Sequence, residues 1–128
     1  MAADLKFAKT HEWIRPEAGG LATVGISAYA VEALTDLVFM QLPQVGKHVK
    51  AGESIGEIES VKAVSDFYAP VSGEIVEVNT PLAGSLETLG KDPYGAGWIV
   101  RIRPDAPAEM AGLLDQAAYD ALVKSQPH

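Results

Sequence analysis

The stretch "GEIESVKAVSDFYAPVSGEI" (residues 56–75) is the most informative part of the chain for the fold, because it predicts a strand on each side of a single lysine. Residues 53–60 form the first apolar-rich run and residues 64–79 the second. The second run is divided at Pro70 and Gly73, since proline and glycine occur at strand ends and bulges rather than inside central strands. The connection "SVKA" contains neither Gly nor Asn, so it is not predicted to be a tight type I′ turn. The pattern nevertheless places Lys62 at or beside a hairpin tip.

Lys62 is isolated from other basic residues. No other Lys, Arg or His occurs between Lys50 and Lys91, whereas the same interval contains seven acidic residues. A single loop lysine usually serves only as a solubilising charge, and the isolation by itself favours that plain role. The apolar neighbours Val61 and Val64 raise a second hypothesis, a small recognition patch for a partner protein. A modifying enzyme that reached this surface would meet one amine.

Composition narrows the function classes. The 128 residues fit one domain over 1–128, large enough to bury roughly two thirds of the surface of the unfolded chain. The net charge of -7 argues against a nucleic-acid partner, because phosphates require clustered Lys and Arg, and it suits docking onto basic protein surfaces. The absence of cysteine excludes disulfides, thiolate zinc sites and cysteine nucleophiles.

The N-terminal residues predict the location. "MAADLKFAKTHEW" (1–13) has neither the apolar core of a signal peptide nor the Arg- and Ser-rich character of a transit peptide. No apolar run approaches the roughly 20 residues that a membrane helix needs. We therefore expect a cytoplasmic protein that does not engage a membrane.

The rest of the chain predicts short strands first and helices last. Strands are expected at 11–15, 21–27, 36–43 and 98–104, the third of them buried, with a glycine turn at 17–20 and further glycine turns around Val49. Ser27 is expected to cap a short helix over 28–34, after the second strand. Residues 80–97 are expected to form a loop with a helical turn near 81–86.

Two short C-terminal helices are expected, over 106–113 and 116–124, capped by Asp105 and Asp115, before a fraying end. The expected apolar face comprises Leu113, Leu114, Ala117, Ala118, Ala121 and Leu122. Many short strands followed by helices predict a mainly β protein, a β-sandwich or flattened barrel with peripheral helices.

The wider spacing around the lysine resembles the lipoyl and biotinyl carrier motif, in which a Gly-punctuated strand leads to a modified lysine and a Pro-x-x-Gly turn follows. Val61 and Ala63 match neither the Asp before the lysine in dehydrogenase lipoyl domains nor the Met on both sides in biotinyl carriers. The chain more closely resembles the glycine cleavage system H proteins. The matching segments are "THEWI" (10–14), "VGIS" (24–27), "LVFMQLPQVGKHVKAGE" (37–53), "ESVKAVSDFYAPVSGEIVEVN" (59–79), "DPYGAGWIVRIRP" (92–104) and "LLDQAAYDAL" (113–122). Thr35 and "SLETLGKDPYG" (85–95) depart from the family pattern.

The resemblance implies a barrel-sandwich hybrid of lipoyl-domain type and a function in glycine catabolism and one-carbon metabolism. Lys62 would carry lipoate through an amide bond, and the chain would be a carrier rather than an enzyme. The implied partners are the PLP-dependent glycine decarboxylase (P protein), the tetrahydrofolate-dependent aminomethyltransferase (T protein) and dihydrolipoamide dehydrogenase (L protein). A lipoate ligase or a lipoyl/octanoyl transferase would modify the lysine.

The resemblance also implies site residues around the arm. Thr10, Glu12 and Asp66 would line a cleft for the cationic amine of the aminomethyl-loaded arm. Glu59, Val61 and Ala63 would help the modifying enzyme to recognise the lysine. The plain alternative is that the two carboxylates of the cleft set are ordinary solvated acids at strand ends.

Other functions remain open. A lipoate relay, an H-like protein that donates lipoyl groups to other acceptors, would use the same lysine, and a small enzyme could use Glu12, Asp66 and His11. No catalytic or metal-ligating set is predicted, because His11, His48 and His128 lack metal-ligand spacing, and Glu57 and Glu59 have no accompanying base or nucleophile. His11 is expected to be partly buried, and Trp13 and Trp98 are expected to belong to the core.

Overall fold

The computed structural model describes residues 5–34, 36–61, 63–106 and 108–125. Within these ranges, strands form two antiparallel sheets. The larger sheet has the order β1 (Lys6–Phe7), β2 (Glu12–Pro16), β3 (Ala22–Ile26), β9 (Val100–Pro104), β8 (Gly73–Val78) and β5 (His48–Val49). The smaller sheet has the order β4 (Leu37–Gln41), β6 (Ser54–Ser60) and β7 (Val64–Tyr68). The mainly β, sandwich-like fold is therefore confirmed.

One apolar core joins the two sheets. The smaller sheet contributes Met40, Ile55, Ile58 and Phe67, and the larger sheet contributes Ile14, Val24, Val49, Ile75, Val100 and Ile102. All five residues of β3 are buried, because this strand lies between β2 and β9 and is covered on both faces. A Cβ on Gly25 would lie 2.6 Å from the Trp13 ring, so that ring packs directly on the backbone of β3.

A second cluster covers the other face of the larger sheet. It consists of Leu5, Phe7, Trp13 and Tyr119, with Leu114, Leu122 and Val123 packed against it. The Phe7 and Tyr119 rings are stacked with their centroids 4.2 Å apart. This cluster holds the C-terminal helix against β1 and β2, the strands that flank Thr10.

Four α-helices connect or flank the strands within the described ranges: α1 (Ala28–Leu34), α2 (Glu87–Lys91), α3 (Ala108–Ala111) and α4 (Gln116–Ser125). Short 3-10 turns occupy Ala18–Gly20 and Thr80–Gly84. Ser27 caps α1 through a bond from the Ala30 N–H to its hydroxyl (3.3 Å), and Asp115 caps α4 through a bond from the Ala118 N–H (2.8 Å). The caps predicted at Ser27 and Asp115 are confirmed. The predicted cap at Asp105 is not observed: α3 begins at Ala108, and the Asp105 carboxylate contacts the His48 ring instead (2.6 Å). None of the described helices has the length and apolarity to cross a membrane.

A strand is present within the predicted range 36–43, but the prediction that it is buried is wrong. Strand β4 lies at an edge of the smaller sheet, and its Val38 and Phe39 side chains are 58% and 49% exposed. The register of β4 against β6 shifts between Leu37 and Phe39, so Val38 is an extra residue in a bulge. A bulge interrupts the alternation of side chains, which explains why two consecutive apolar residues face outward.

The apolar face predicted for the C-terminal helix is also partly wrong, because its alanines do not face the sheet. Ala117, Ala118 and Ala121 are exposed, whereas Tyr119 is buried. A tyrosine ring buries far more area than an alanine methyl, so the helix turns its aromatic residue toward the sheet.

Several element boundaries differ from the prediction. The sequence does not predict strand β1, strand β5 or helix α2. Helix α3 covers only part of 106–113, and β9 begins at Val100 rather than at residue 98. The strands predicted at 11–15, 21–27, 53–60 and 64–79 are present, the last divided at Pro70 and Gly73 into β7 and β8. Thr35 and the predicted fraying end, residues 126–128, lie outside the described residues.

Candidate functional site

Strands β6 and β7 form the hairpin that the sequence predicted. Their paired residues run from Ser54 opposite Tyr68 to Glu59 opposite Val64. At the end of the ladder the Ser60 N–H donates to the Ala63 carbonyl (2.7 Å), and the Ala63 N–H donates to the Ser60 hydroxyl oxygen (3.1 Å). The connection is thus closed after two residues. The sequence did not predict so short a connection, because Gly and Asn are absent, but the Ser60 side chain supplies one of the closing bonds.

Lys62 itself lies outside the described residues, whereas both of its neighbours are described. Val61 is 75% exposed, and Ala63 is exposed as well. The Val61 N–H donates to the Asp36 carbonyl (3.2 Å), which ties the end of the hairpin to the segment between α1 and β4. The structure therefore brings the predicted recognition residues Glu59, Val61 and Ala63 to one end of the hairpin.

Glu12 connects the two sheets. Its side chain is 1% exposed. The Thr10 hydroxyl donates to one carboxylate oxygen in a very short hydrogen bond, and the Tyr68 N–H donates to the other at 2.9 Å. Because β7 is an edge strand, its Tyr68 N–H is available to this carboxylate. Thr10 is exposed beside it, so two of the three predicted cleft residues are in direct contact.

Asp66 lies between the hairpin end and Glu12. It is exposed and shares one face of β7 with Val64 and Tyr68, because alternate residues of a strand point the same way. From Val64 to Tyr68 the strand covers about 13 Å at its usual rise per residue. The three predicted cleft residues thus follow the direction of β7 away from the hairpin end, with Asp66 near the middle.

The electrostatics of Glu12 are set by burial. Desolvation raises the pKa of Glu12 from its ordinary 4.5 to about 7, although the hydrogen bonds from Thr10 and Tyr68 act in the opposite direction. Near neutral pH this group is consequently poised between carboxylate and carboxylic acid. As a carboxylate it can bind a nearby cation, and as an acid it can donate a hydrogen bond.

A hydrogen-bonded network of His11, Tyr119 and Ser27 holds the Thr10–Glu12 segment in place. His11 is half-buried, as predicted, and has a φ of 81°. Its Nδ1 lies 2.7 Å from the Tyr119 hydroxyl, which lies 2.5 Å from the Ser27 hydroxyl. Desolvation raises the pKa of Tyr119 to about 12, so its hydroxyl keeps its proton. The sequence predicted neither this network nor its link from α4 to β2, because Tyr119 was not placed on the apolar face of the helix.

A pocket of about 590 Å³ lies beside α1 and α2. Val31, Leu37 and Leu86 form apolar walls, and Glu32, Asp36 and Glu87 add negative charge. Asp36 also accepts the hydrogen bond from Val61, so the pocket adjoins the end of the hairpin. The sequence does not reveal this pocket, because two of its lining residues, Glu87 and Gly90, belong to α2, which the sequence predicts as a loop.

The two tryptophans pack within the protein, and no metal site is seen in the described residues. Trp13 is fully buried, as predicted, and its indole N–H donates to the Pro93 carbonyl (3.0 Å). Trp98 is only half-buried and lies under the Arg101 guanidinium, 4.2 Å from the ring centroid. In the part of the chain that the structure describes, no three His, Asp or Glu side chains are grouped to hold a metal ion.

Comparisons with known proteins agree over almost the whole chain. The family model described as Glycine cleavage H-protein matches residues 5–126. The glycine cleavage system H protein of Symbiobacterium thermophilum is 53% identical over 122 residues, covering 95% of this chain and 94% of that protein. The glycine cleavage system H protein 2 of Pseudomonas putida is 54% identical over 121 residues, covering 94% of each chain.

A solved structure shows that the similarity extends to the three-dimensional fold. The crystal structure of a glycine cleavage system H protein from Mycobacterium marinum superposes with a TM-score of 0.84 at 48% identity, covering 93% of this chain and 95% of that chain. Sequence and fold agree at levels where relatives share both architecture and family. The chain belongs to the glycine cleavage H-protein family.

Proposed function

We propose that this chain is the lipoylated carrier of a glycine cleavage system, with lipoate attached to Lys62 by an amide bond. The observation that carries the proposal is the closed end of the β6–β7 hairpin, where both described neighbours of Lys62 are exposed. Such a hairpin end presents a side chain to several enzymes in turn. The bound lipoate would supply a dithiol–disulfide pair that accepts the aminomethyl group of glycine.

The chain's own residues would bind and position the arm rather than carry out chemistry. Asp66 would attract the cationic amine of the loaded arm as it moves along β7, and the exposed Thr10 hydroxyl would accept a hydrogen bond from it. The buried Glu12 carboxylate would supply the negative charge behind Thr10. This is supported by the Thr10–Glu12 contact and by the position of Asp66 between that contact and the hairpin end.

The same proposal names the partners. The chain would receive the aminomethyl group from glycine decarboxylase, deliver it to the tetrahydrofolate-dependent aminomethyltransferase and present dihydrolipoyl to dihydrolipoamide dehydrogenase. A lipoate ligase or a lipoyl/octanoyl transferase would attach the cofactor, guided by Glu59, Val61 and Ala63. The exchange would take place in the cytoplasm, with residues 1–128 acting as one domain.

Reconstitution tests the proposal. Purified glycine decarboxylase is incubated with carboxyl-labelled glycine and PLP, and the release of labelled carbon dioxide is measured with and without the lipoylated chain. We expect release to depend on the lipoylated chain and to return to background with the Lys62→Arg variant. Release that the unmodified chain supports equally well, or that survives Lys62→Arg, would remove the carrier role of this lysine.

A further inference from the structure

Exposed apolar side chains concentrate around the β6–β7 hairpin. Five large hydrophobic residues of the described chain are about half exposed or more. Four of them, Val38 (58%), Phe39 (49%), Val61 (75%) and Val64 (58%), lie on the smaller sheet or at the end of its hairpin, and we call them the hairpin patch. The fifth, Val45 (63%), lies in the loop after β4. Apolar residues grouped in this way on a surface mark an interaction site more often than scattered ones do.

The strand register assembles the patch from three strands. Phe39 pairs with Glu59, and Glu59 pairs with Val64, so these side chains stand in one row across the sheet. Phe39 alternates with the buried Met40 and therefore faces outward, and the bulge between Leu37 and Phe39 turns Val38 outward beside it. Phe39 is distant from Lys62 in the sequence, but this row is the last paired row before the closing Ser60–Ala63 turn.

Acidic residues adjoin the patch. On the same outward face of the sheet, the row that follows Phe39–Glu59–Val64 contains Gln41, Glu57 and Asp66. Glu57 and Asp66 are cross-strand neighbours, and like charges directly opposite each other destabilise a sheet. A partner with Lys or Arg around an apolar pocket would neutralise these carboxylates while covering the patch. Two copies of this chain would instead bring like-charged faces together.

We propose that the hairpin patch is the docking surface for the enzyme that attaches lipoate to Lys62, with Phe39 as its main apolar anchor. The inference rests on the proposed lipoylation of Lys62. It extends recognition beyond the residues next to the lysine to strand β4. The partner surface is an apolar pocket flanked by Lys or Arg, which receives Phe39 and Val64 while the lysine enters the catalytic site of the enzyme.

The test measures lipoylation rates of matched variants. The unmodified chain is incubated with a lipoate–protein ligase, lipoate and ATP, and the adduct is followed by intact mass at several chain concentrations. Phe39→Thr and Val64→Thr place a β-branched residue that suits a strand at each position. We expect kcat/KM to fall about tenfold for Phe39→Thr, mainly through KM, as for truncation of an interface hot spot. Val45→Thr is the control, because it removes an equally exposed valine outside the patch, and it should match the unsubstituted chain.

Two further measurements separate a loss of docking from a loss of folding as the cause of slower lipoylation. Thermal unfolding of all three variants should agree closely with that of the unsubstituted chain, so a slow Val64→Thr still reports on docking if Phe39→Thr unfolds. Added salt should lower the rate for the unsubstituted chain more than for Glu57→Gln, because a surface charge contact is screened.

The outcomes distinguish this inference from the proposal on which it rests. Rapid lipoylation of the unsubstituted chain with equal rates for both patch variants would overturn the docking surface and leave the carrier function intact. A chain that gains no lipoyl adduct at all would instead overturn the proposed function. A patch substitution that converts a dimer to a monomer without slowing lipoylation would assign the patch to self-association and also overturn the inference.

Discussion

The buried carboxyl of Glu12 should make the stability of this protein depend on pH in a specific way. Burial raises its pKa from 4.5 to about 7, so folding favours the protonated form. Below pH 4.5 the group is protonated in both the folded and the unfolded state and costs nothing. As the pH rises toward 7, the unfolded chain releases its proton first, and the free energy of unfolding falls. Above pH 7 the full cost of holding a buried carboxylate is present.

The magnitude follows from the two pKa values. At about 1.4 kcal/mol for each pH unit between them, the cost above pH 7 is about 3 kcal/mol. In Glu12→Gln the amide oxygen still accepts from Tyr68, while the charge is gone. The free energy of unfolding of the variant, relative to that of the unsubstituted chain, should therefore rise by about 3 kcal/mol between pH 3.5 and pH 8.

Urea unfolding of both proteins across this pH range measures the difference directly. Glu87→Gln, which removes the charge of an exposed glutamate, provides the baseline for the loss of one negative charge. NMR titration of the Glu12 carboxyl carbon gives the midpoint independently. A free-energy difference that stays constant from pH 3.5 to pH 8, or a Glu12 midpoint near 4.5, would show that burial does not raise the pKa of this carboxyl.

Three further substitutions test the packing around the site. Tyr119→Phe keeps the stacked ring but removes a hydroxyl with two polar partners, and it should lower the free energy of unfolding by about 1–3 kcal/mol in urea titrations; an unchanged midpoint would remove the network's structural role. Gly25→Ala places a methyl 2.6 Å from the Trp13 ring and should cost about 1–3 kcal/mol, whereas Gly84→Ala, with nothing within 4 Å, should unfold like the unsubstituted chain; equal effects would contradict this. Asp115→Ala removes the α4 cap and should cost about 1 kcal/mol by the same assay, and no loss would show that the cap is dispensable.

Strands and helix caps could be predicted from the sequence where local patterns and tertiary structure agree. The strands around Lys62 were predicted because each has an apolar face and ends at Gly, Pro or a short turn. The caps at Ser27 and Asp115 are predicted because a side-chain oxygen beside the first helical turn can accept a backbone N–H. The same pattern at Asp105 does not give a cap, because that carboxylate pairs with His48 and α3 begins later. The closeness of Thr10 to Glu12 follows from their positions in one segment.

Other features depend on contacts between distant parts of the chain. The exposure of Val38 results from a bulge, and β4 as a whole lies at an edge of the sheet. Composition encodes neither feature, since the same apolar run suits a buried strand. The burial of Glu12 depends on a β7 backbone group that is 56 residues away in the sequence. The orientation of α4 depends on the stacking of Tyr119 against Phe7, which helical periodicity alone does not determine.

The carrier role of Lys62 is tested most directly by the intact mass of the chain after incubation with a lipoate–protein ligase, lipoate and ATP. We expect one lipoyl adduct on the unsubstituted chain and none on Lys62→Arg, which retains the positive charge and should fold normally. Peptide mapping should place that adduct between Val61 and Ala63. An adduct that persists in Lys62→Arg, adducts on other lysines, or no adduct on the unsubstituted chain would show that Lys62 is not the lipoyl attachment site.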